Sequence, residues 1–221
     1  MYLYKRIGDA FKFLAKNPWM FAVYLPLALL SFIGISLDST YSIIWAIIYT
    51  LLLFVISSFV FTIAILETYY HEHRREPNFE HTIKTASSKF LTLLIAEVLL
   101  VIVVSIFSMI ADYFAQIFTS NLGQAFTIVF FLAFLGVIIK VALFASSSVL
   151  KGTLGFIDSW KIVNGKRFLE LGIFLILYAV LSYGISALNL VFAHLGDFMT
   201  SLILGPIVMI VLTMLYLDYT R

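Results

Sequence analysis

The chain contains no cysteine among its 221 residues. That excludes a disulfide framework, a thiolate metal site and a cysteine nucleophile. Charge is almost as scarce. Only 12% of residues are Asp, Glu, Lys or Arg, where a soluble domain carries about a quarter. Phosphate-cradling Gly-rich loops, Walker sequences and nucleophile-with-base patterns are also missing. His71-Glu72-His73 has the wrong spacing for a zincin helix.

What is present is hydrocarbon. The chain is 62% hydrophobic, too apolar to cover a water-soluble globule. The apolar residues come in runs of about 20 or more, enough to cross roughly 30 Å of bilayer core. The expected class is an all-α integral membrane protein, a single transmembrane domain over 1–221 with no cofactor. Six spans are expected: Pro18–Ser36, Tyr41–Tyr69, Phe90–Ala111, Gln124–Leu150, Phe168–Phe192 and Phe198–Tyr219. Pro26 lies inside the first and Gly205-Pro206 inside the sixth, so both are expected to kink. No small-x-small site follows the first apolar run, so no cleavable signal peptide is expected.

Residues 2–16 read as an amphipathic helix. Leu3, Ile7, Ala10, Phe11 and Leu14 form one stripe; Lys5, Asp9, Lys12 and Lys16 form the other. Such a helix beside an apolar run lies in the headgroup plane. Asn17 suits an N-cap and Pro18 a first helical turn before Trp19. The pattern returns at Phe79, Ile83, Ala86 and Phe90 with Lys84. It returns again over Lys151–Arg167, where Phe156, Trp160 and Val163 share a face beside Lys161, Lys166 and Arg167. Lys12, Lys84 and Lys161 are spaced by 72 and 77 residues. This predicts three repeats, roughly 1–70, 71–150 and 151–221. Each is an in-plane helix followed by a transmembrane hairpin, and together they suit a pseudo-threefold bundle.

The cations give an orientation. Of fourteen Lys and Arg residues, all except Lys140 fall before span one, between spans two and three, between spans four and five, or after span six. The opposite connections hold only Asp38, Asp112 and Asp197. The positive-inside rule then places both termini and all three amphipathic segments in the cytoplasm of a cell-membrane protein. The partners expected are membrane lipids with anionic headgroups at that face, rather than nucleic acid. A homo-oligomer is compatible with this reading. Interface contacts are expected at Lys12, Trp19, Lys84, Trp160, Lys161, Lys166 and Arg167.

Two sets of polar residues stand out. Glu97 in span three and Lys140 in span four lie at comparable depth in one hairpin, and intramembrane charges usually pair or face water. A structural ion pair fits them, and so does an ion, proton or headgroup site. Leu25 and Phe174 stand opposite Glu97 in the other repeats, so the pair would break the symmetry. The second set is Glu67, His71, His73 and His81, a nitrogen and carboxylate group that would suit Zn²⁺ or Ni²⁺ but lacks established ligand spacing. A solvated loop is the simpler reading of it. Ser146-Ser147-Ser148 and the pairs Ala142/Ser146 and Ser182/Ser186 favour close helix packing.

The string Ile7-Gly8-Asp9-Ala10-Phe11 and then Lys16-Asn17-Pro18-Trp19, with its later echoes, resembles a motif of a large set of archaeal and bacterial six-helix membrane proteins. These include DUF4013-type proteins and the membrane domain attached to some glycerophosphoryl diester phosphodiesterases. The resemblance implies a six-helix architecture over most of the chain and carries over no functional residue. In those phosphodiesterases the hydrolase is a separate soluble barrel, for which this chain has no room. The functional expectation is therefore a non-enzymatic protein that interacts with lipid, organises the membrane or acts as a scaffold. The alternative is a small transporter or channel using Glu97, Lys140, the serines and the broken helix at Gly205-Pro206.

Because the chain lacks cysteine, a single introduced one is unique. Lys12→Cys and Asp112→Cys should label from opposite faces of sealed vesicles with an impermeant maleimide. Labelling from the same face would refute the orientation.

Overall fold

The computed structural model describes residues 2–33, 41–75, 78–117 and 121–221. The expected turn at Leu37–Thr40, the end of span one at Ser36, Pro77, and 118–120 of the Asp112–Gly123 connection lie outside these residues. Among the described residues the chain is helical throughout, with no strand. The helices are α1 (Tyr2–Lys16), α2 (Trp19–Ile33), α3 (Tyr41–Glu72), α4 (Phe79–Ile117) and α5 (Asn121–Val141). They continue as α6 (Phe144–Lys151), α7 (Phe156–Ile162), α8 (Lys166–Ser186), α9 (Leu195–Met199) and α10 (Gly205–Thr220).

Five stretches are long and apolar enough to cross a membrane: Ile44–Glu72, Phe79–Tyr113, Ile128–Lys151, Lys166–Leu190 and Leu195–Thr220. A sixth is α2 taken with α1, a pair bent by 97° at Asn17-Pro18. The surface is inverted relative to a soluble protein. Ile102, Met109, Ile128, Phe131, Val180 and Leu190 are all exposed. So large an apolar exterior is stable only against lipid. This defines a multi-pass helical membrane protein.

The three amphipathic segments are built differently. After Asn17-Pro18 the chain turns sharply, because the residue before proline leaves the helical region. After α7, Asn164-Gly165 interrupts the helix, with Gly165 at φ +52°. The second segment corrects the expectation of a separate in-plane helix. It is the start of α4, one unbroken helix of 39 residues. Residues 82–90 contain neither glycine nor proline, so nothing stops the helix. At 1.5 Å per residue α4 is about 58 Å long, well beyond the hydrocarbon thickness.

Span four runs as one stretch, Ile128–Lys151, with a local turn at Ala142-Leu143 that separates α5 from α6. The groups freed there are claimed by α7. Ser159 Oγ donates to the Lys140 carbonyl at 2.8 Å and accepts from the Leu143 N–H at 3.1 Å. Beyond the turn, α6 is buried at Ala145 through Val149. Its Ser146 shares a hydrogen bond with Thr213 of α10 at 3.1 Å. Ser146 thus ties α6 to α10, and Ser147 donates to Asp158 of α7 at 3.2 Å. Gly152 caps α6 in the left-handed conformation, and Gly155 lets the chain return against it.

The core centres on α10, most of whose residues are buried. It packs against α3 and α1, and less extensively on α2 and α6. The three hairpin return helices are not equivalent. The final span is 56% buried, against 28% for α3 and 17% for the α5–α6 span. One helix acts as the hub, which a threefold ring would not produce. At Gly205-Pro206 the expected unwinding takes the form of a π-helical turn over Thr200–Leu204. The glycine there lies against the buried Tyr24 ring, where a Cβ would sit 3.1 Å from Cε1. Pro26 lies within α2, which continues through it to Ile33.

Gly155 offers a direct test of the α6–α7 turn. A Cβ there would lie 2.6 Å from Ser148 Oγ and closer still to the Phe144 carbonyl oxygen, at φ +72°. Gly155→Ala should therefore cost about 3 kcal/mol or more. This would be read as a lower unfolding midpoint in detergent. Gly8→Ala, inside α1 and with nothing within 4 Å, is the control and should not lower the midpoint.

Candidate functional site

Most polar side chains with partners gather at one end of the bundle. Arg6 of α1 is the most connected. Its Nε donates to Asp218 Oδ2 at 2.6 Å, and its Nη1 to Glu72 Oε1 at 2.8 Å. Its Nη2 donates to both carboxylates. The Arg6 side chain is 11% exposed, and its partners 13% and 15%. The hydrogen bond to Asp218, helped by the charge of Glu72, raises the guanidinium pKa above its ordinary value despite partial burial. The fork thus ties α1 to the last turns of α3 and α10. At the same end, Glu170 is buried and accepts from the Tyr219 hydroxyl at 2.9 Å. Arg167 stacks over the Tyr219 ring at 4.9 Å. Sequence reasoning missed both clusters. The signal for the first was that Arg6 lies on neither of the two stripes of α1.

Glu97 and Lys140 do not meet. Glu97 Oε2 accepts from Ser58 Oγ at 2.6 Å and, at the limit of a hydrogen bond, from Ser57 Oγ at 3.5 Å. It therefore joins α4 to α3. Lys140 instead donates to Asn164 Oδ1 and lies 5.5 Å from the centre of the Trp160 ring. The expected intramembrane pair is corrected on this point. The turn after Val141 brings Lys140 to the α7 segment, among the other cations.

The candidate metal residues do not converge. Glu67 Oε1 accepts from Thr82 Oγ1 at 2.6 Å. The His71 ring lies edge-on to Phe13, His73 Nδ1 lies 2.8 Å from the Tyr69 carbonyl, and His81 lies beside the Tyr70 ring. Among the described residues no group of three such side chains is placed to hold a metal ion. The interfacial residues fare differently. Lys12, Lys84, Lys161, Lys166, Arg167 and Trp160 are exposed, while Trp19 is half-buried against Phe79 at 4.9 Å. In α7, the Lys151 ammonium at 3.1 Å holds the Asp158 carboxyl below its ordinary range.

A groove of about 1110 Å³ opens between the first four helices. Its walls are the end of α1, the first half of α2, the second half of α3 and the start of α4. On α3 its lining residues Phe59, Ile63, Glu67 and His71 recur every four positions and so share one helix face. Chemistry changes along that face. Val55, Ile56, Phe59, Val60 and Ile63 are apolar; Glu67, His71 and Arg75 are polar. From α1 come Phe13 and Lys16, from α2 Trp19, Ala22, Val23 and Pro26, and from α4 Phe79 and Ile83. The charged lining residues all lie at the end where the Arg6 cluster lies, together with Phe13, Trp19 and Phe79, and the lining is apolar further in. At this volume it is large enough for a small-molecule or lipid ligand, whose sites typically span about 300–1,000 Å³.

The chain matches no family model, no curated protein and no solved structure.

Removing the Arg6 fork leaves two carboxylates facing each other across α3 and α10. Arg6→Gln should cost about 3 kcal/mol, the range for breaking a mostly buried charge cluster. Arg6→Lys should recover only part of it, because an ammonium cannot span both carboxylates in a planar fork. Unfolding of the purified protein in mild detergent measures both.

Proposed function

We propose that this chain is a non-enzymatic, multi-pass protein of the cytoplasmic membrane that binds lipid in the α1–α4 groove and thereby organises or scaffolds the bilayer around it. The observation that carries the reading is the change in chemistry along the groove. A cavity that is charged at the helix ends and apolar at depth matches an amphiphile, whose headgroup and chain need those two surroundings. The 97° turn between α1 and α2 agrees with α1 lying in the headgroup plane, its lysines toward water and its apolar stripe inward. The positive-inside distribution puts that plane on the cytoplasmic side. The transport alternative drew on Glu97, Lys140, the serines at 146–148 and the broken helix at Gly205-Pro206; Glu97 and Lys140 take separate partners, and none of these residues lines the groove.

Filling the groove tests the reading without touching the core. Ala22 and Val55 both line it and are exposed. The Ala22→Trp/Val55→Trp variant should fold, yet retain at least about threefold less phospholipid after detergent purification. Mass spectrometry of the extracted lipid gives the ratio. Equal lipid content in wild type and variant would count against the groove as the site.

A further inference from the structure

We propose that the occupant of the groove is a phosphodiester lipid whose headgroup ends in a hydrogen-bond donor, with its phosphate between Lys16 and Arg75 and that donor on Glu67. This rests on the lipid reading above and sharpens it to a headgroup chemistry.

The mouth carries two permanent cations on different elements. Lys16 closes α1 and Arg75 follows the end of α3. Both are exposed, and neither contacts a carboxylate among the described residues. A phosphate between them would receive the planar fork of Arg75 on one side and the point charge of Lys16 on the other. Two cations alone would accept any anion, including a free fatty acid. Glu67 narrows the choice. It lines the same groove on α3, one turn before His71, and an ionised carboxylate is acceptor-only. Thr82 occupies its Oε1, which leaves Oε2 for a donor from the ligand. An ammonium or hydroxyl headgroup supplies such a donor. A choline headgroup carries neither N–H nor O–H, and a fatty acid has nothing beyond its carboxylate. Below Glu67 the lining turns apolar at Ile63 and Phe59, so the acyl chain and the headgroup are assigned opposite ends by the same helix face.

The test uses the full chain purified in detergent, with native mass spectrometry as the readout. Phosphatidylglycerol, phosphatidylethanolamine and phosphatidylcholine with identical acyl chains are offered in equal amounts. The wild type should retain the first two about fivefold or more over phosphatidylcholine. Lys16→Ala/Arg75→Ala, at two exposed positions, should lower their retention about tenfold. Glu67→Gln keeps an acceptor for Thr82 and should narrow the preference over phosphatidylcholine. Equal retention of phosphatidylcholine by the wild type, or an unaffected double variant, overturns the headgroup assignment and leaves lipid binding standing. If the wild type retains no phospholipid at all, the lipid reading itself falls.

Discussion

The Arg6 fork is the interaction on which the rest of the arrangement depends. One guanidinium holds the last turn of α3 through Glu72 and the last turn of α10 through Asp218. Arg221 adds a second, more exposed cation to Glu72 at 3.6 Å, but only Arg6 bridges the two carboxylates. The fork also fixes α1 across the helix ends. The face of α1 opposite solvent is buried at Leu3, Ala10, Phe13 and Leu14, so charge and apolar contact agree on a single placement. That placement builds the groove, because Phe13 and Lys16 form one of its walls. Were α1 free to swing, the groove would lose both its cationic lip and its closure over α2.

The class and most of the spans were legible in the sequence, since hydropathy over about 20 residues is a strong signal. The breaks were legible only where the chain itself supplies a breaker. Asn17-Pro18 and Asn164-Gly165 interrupt their helices; residues 82–90 have no such residue, and α4 runs straight through. Three strings that look alike by hydrophobic spacing thus fold in three ways. Spacing reports which face is apolar, whereas termination is decided by backbone chemistry. The turn after Val141 carries no local signal. It is held by Ser159, sixteen positions beyond Leu143, and a tertiary hydrogen bond of that kind is invisible to any local window.

The candidate site was half legible. Glu67 and His71 stood out in the sequence, but their residue types directed attention to metal chemistry. The informative quantity was the rest of that face. Followed back through Ile63 to Phe59, the same four-residue step becomes apolar, and a metal site has no use for such a gradient. Glu97 was noticed because intramembrane charge is costly. Its partners turned out to be two hydroxyls on α3, which hydrogen-bond the carboxylate without a counter-charge.

Lys140 changes the meaning of the charge pattern most. By linear distance along span four it was the one cation out of place. The turn after Val141 folds it onto Asn164 and Trp160, so the asymmetry extends to the whole set of cations. A polar end that gathers the cations and a groove whose mouth opens at that end then have a common cause. The helix ends carry the polar residues because water and headgroups are there, and the groove inherits its polarity from the helices that wall it. A cavity between two such helices cannot avoid being amphiphilic. Glu67 belongs to the same polar end: its partner Thr82 lies in the first turn of α4, and what sets it apart is that it is the carboxylate among the groove's lining residues.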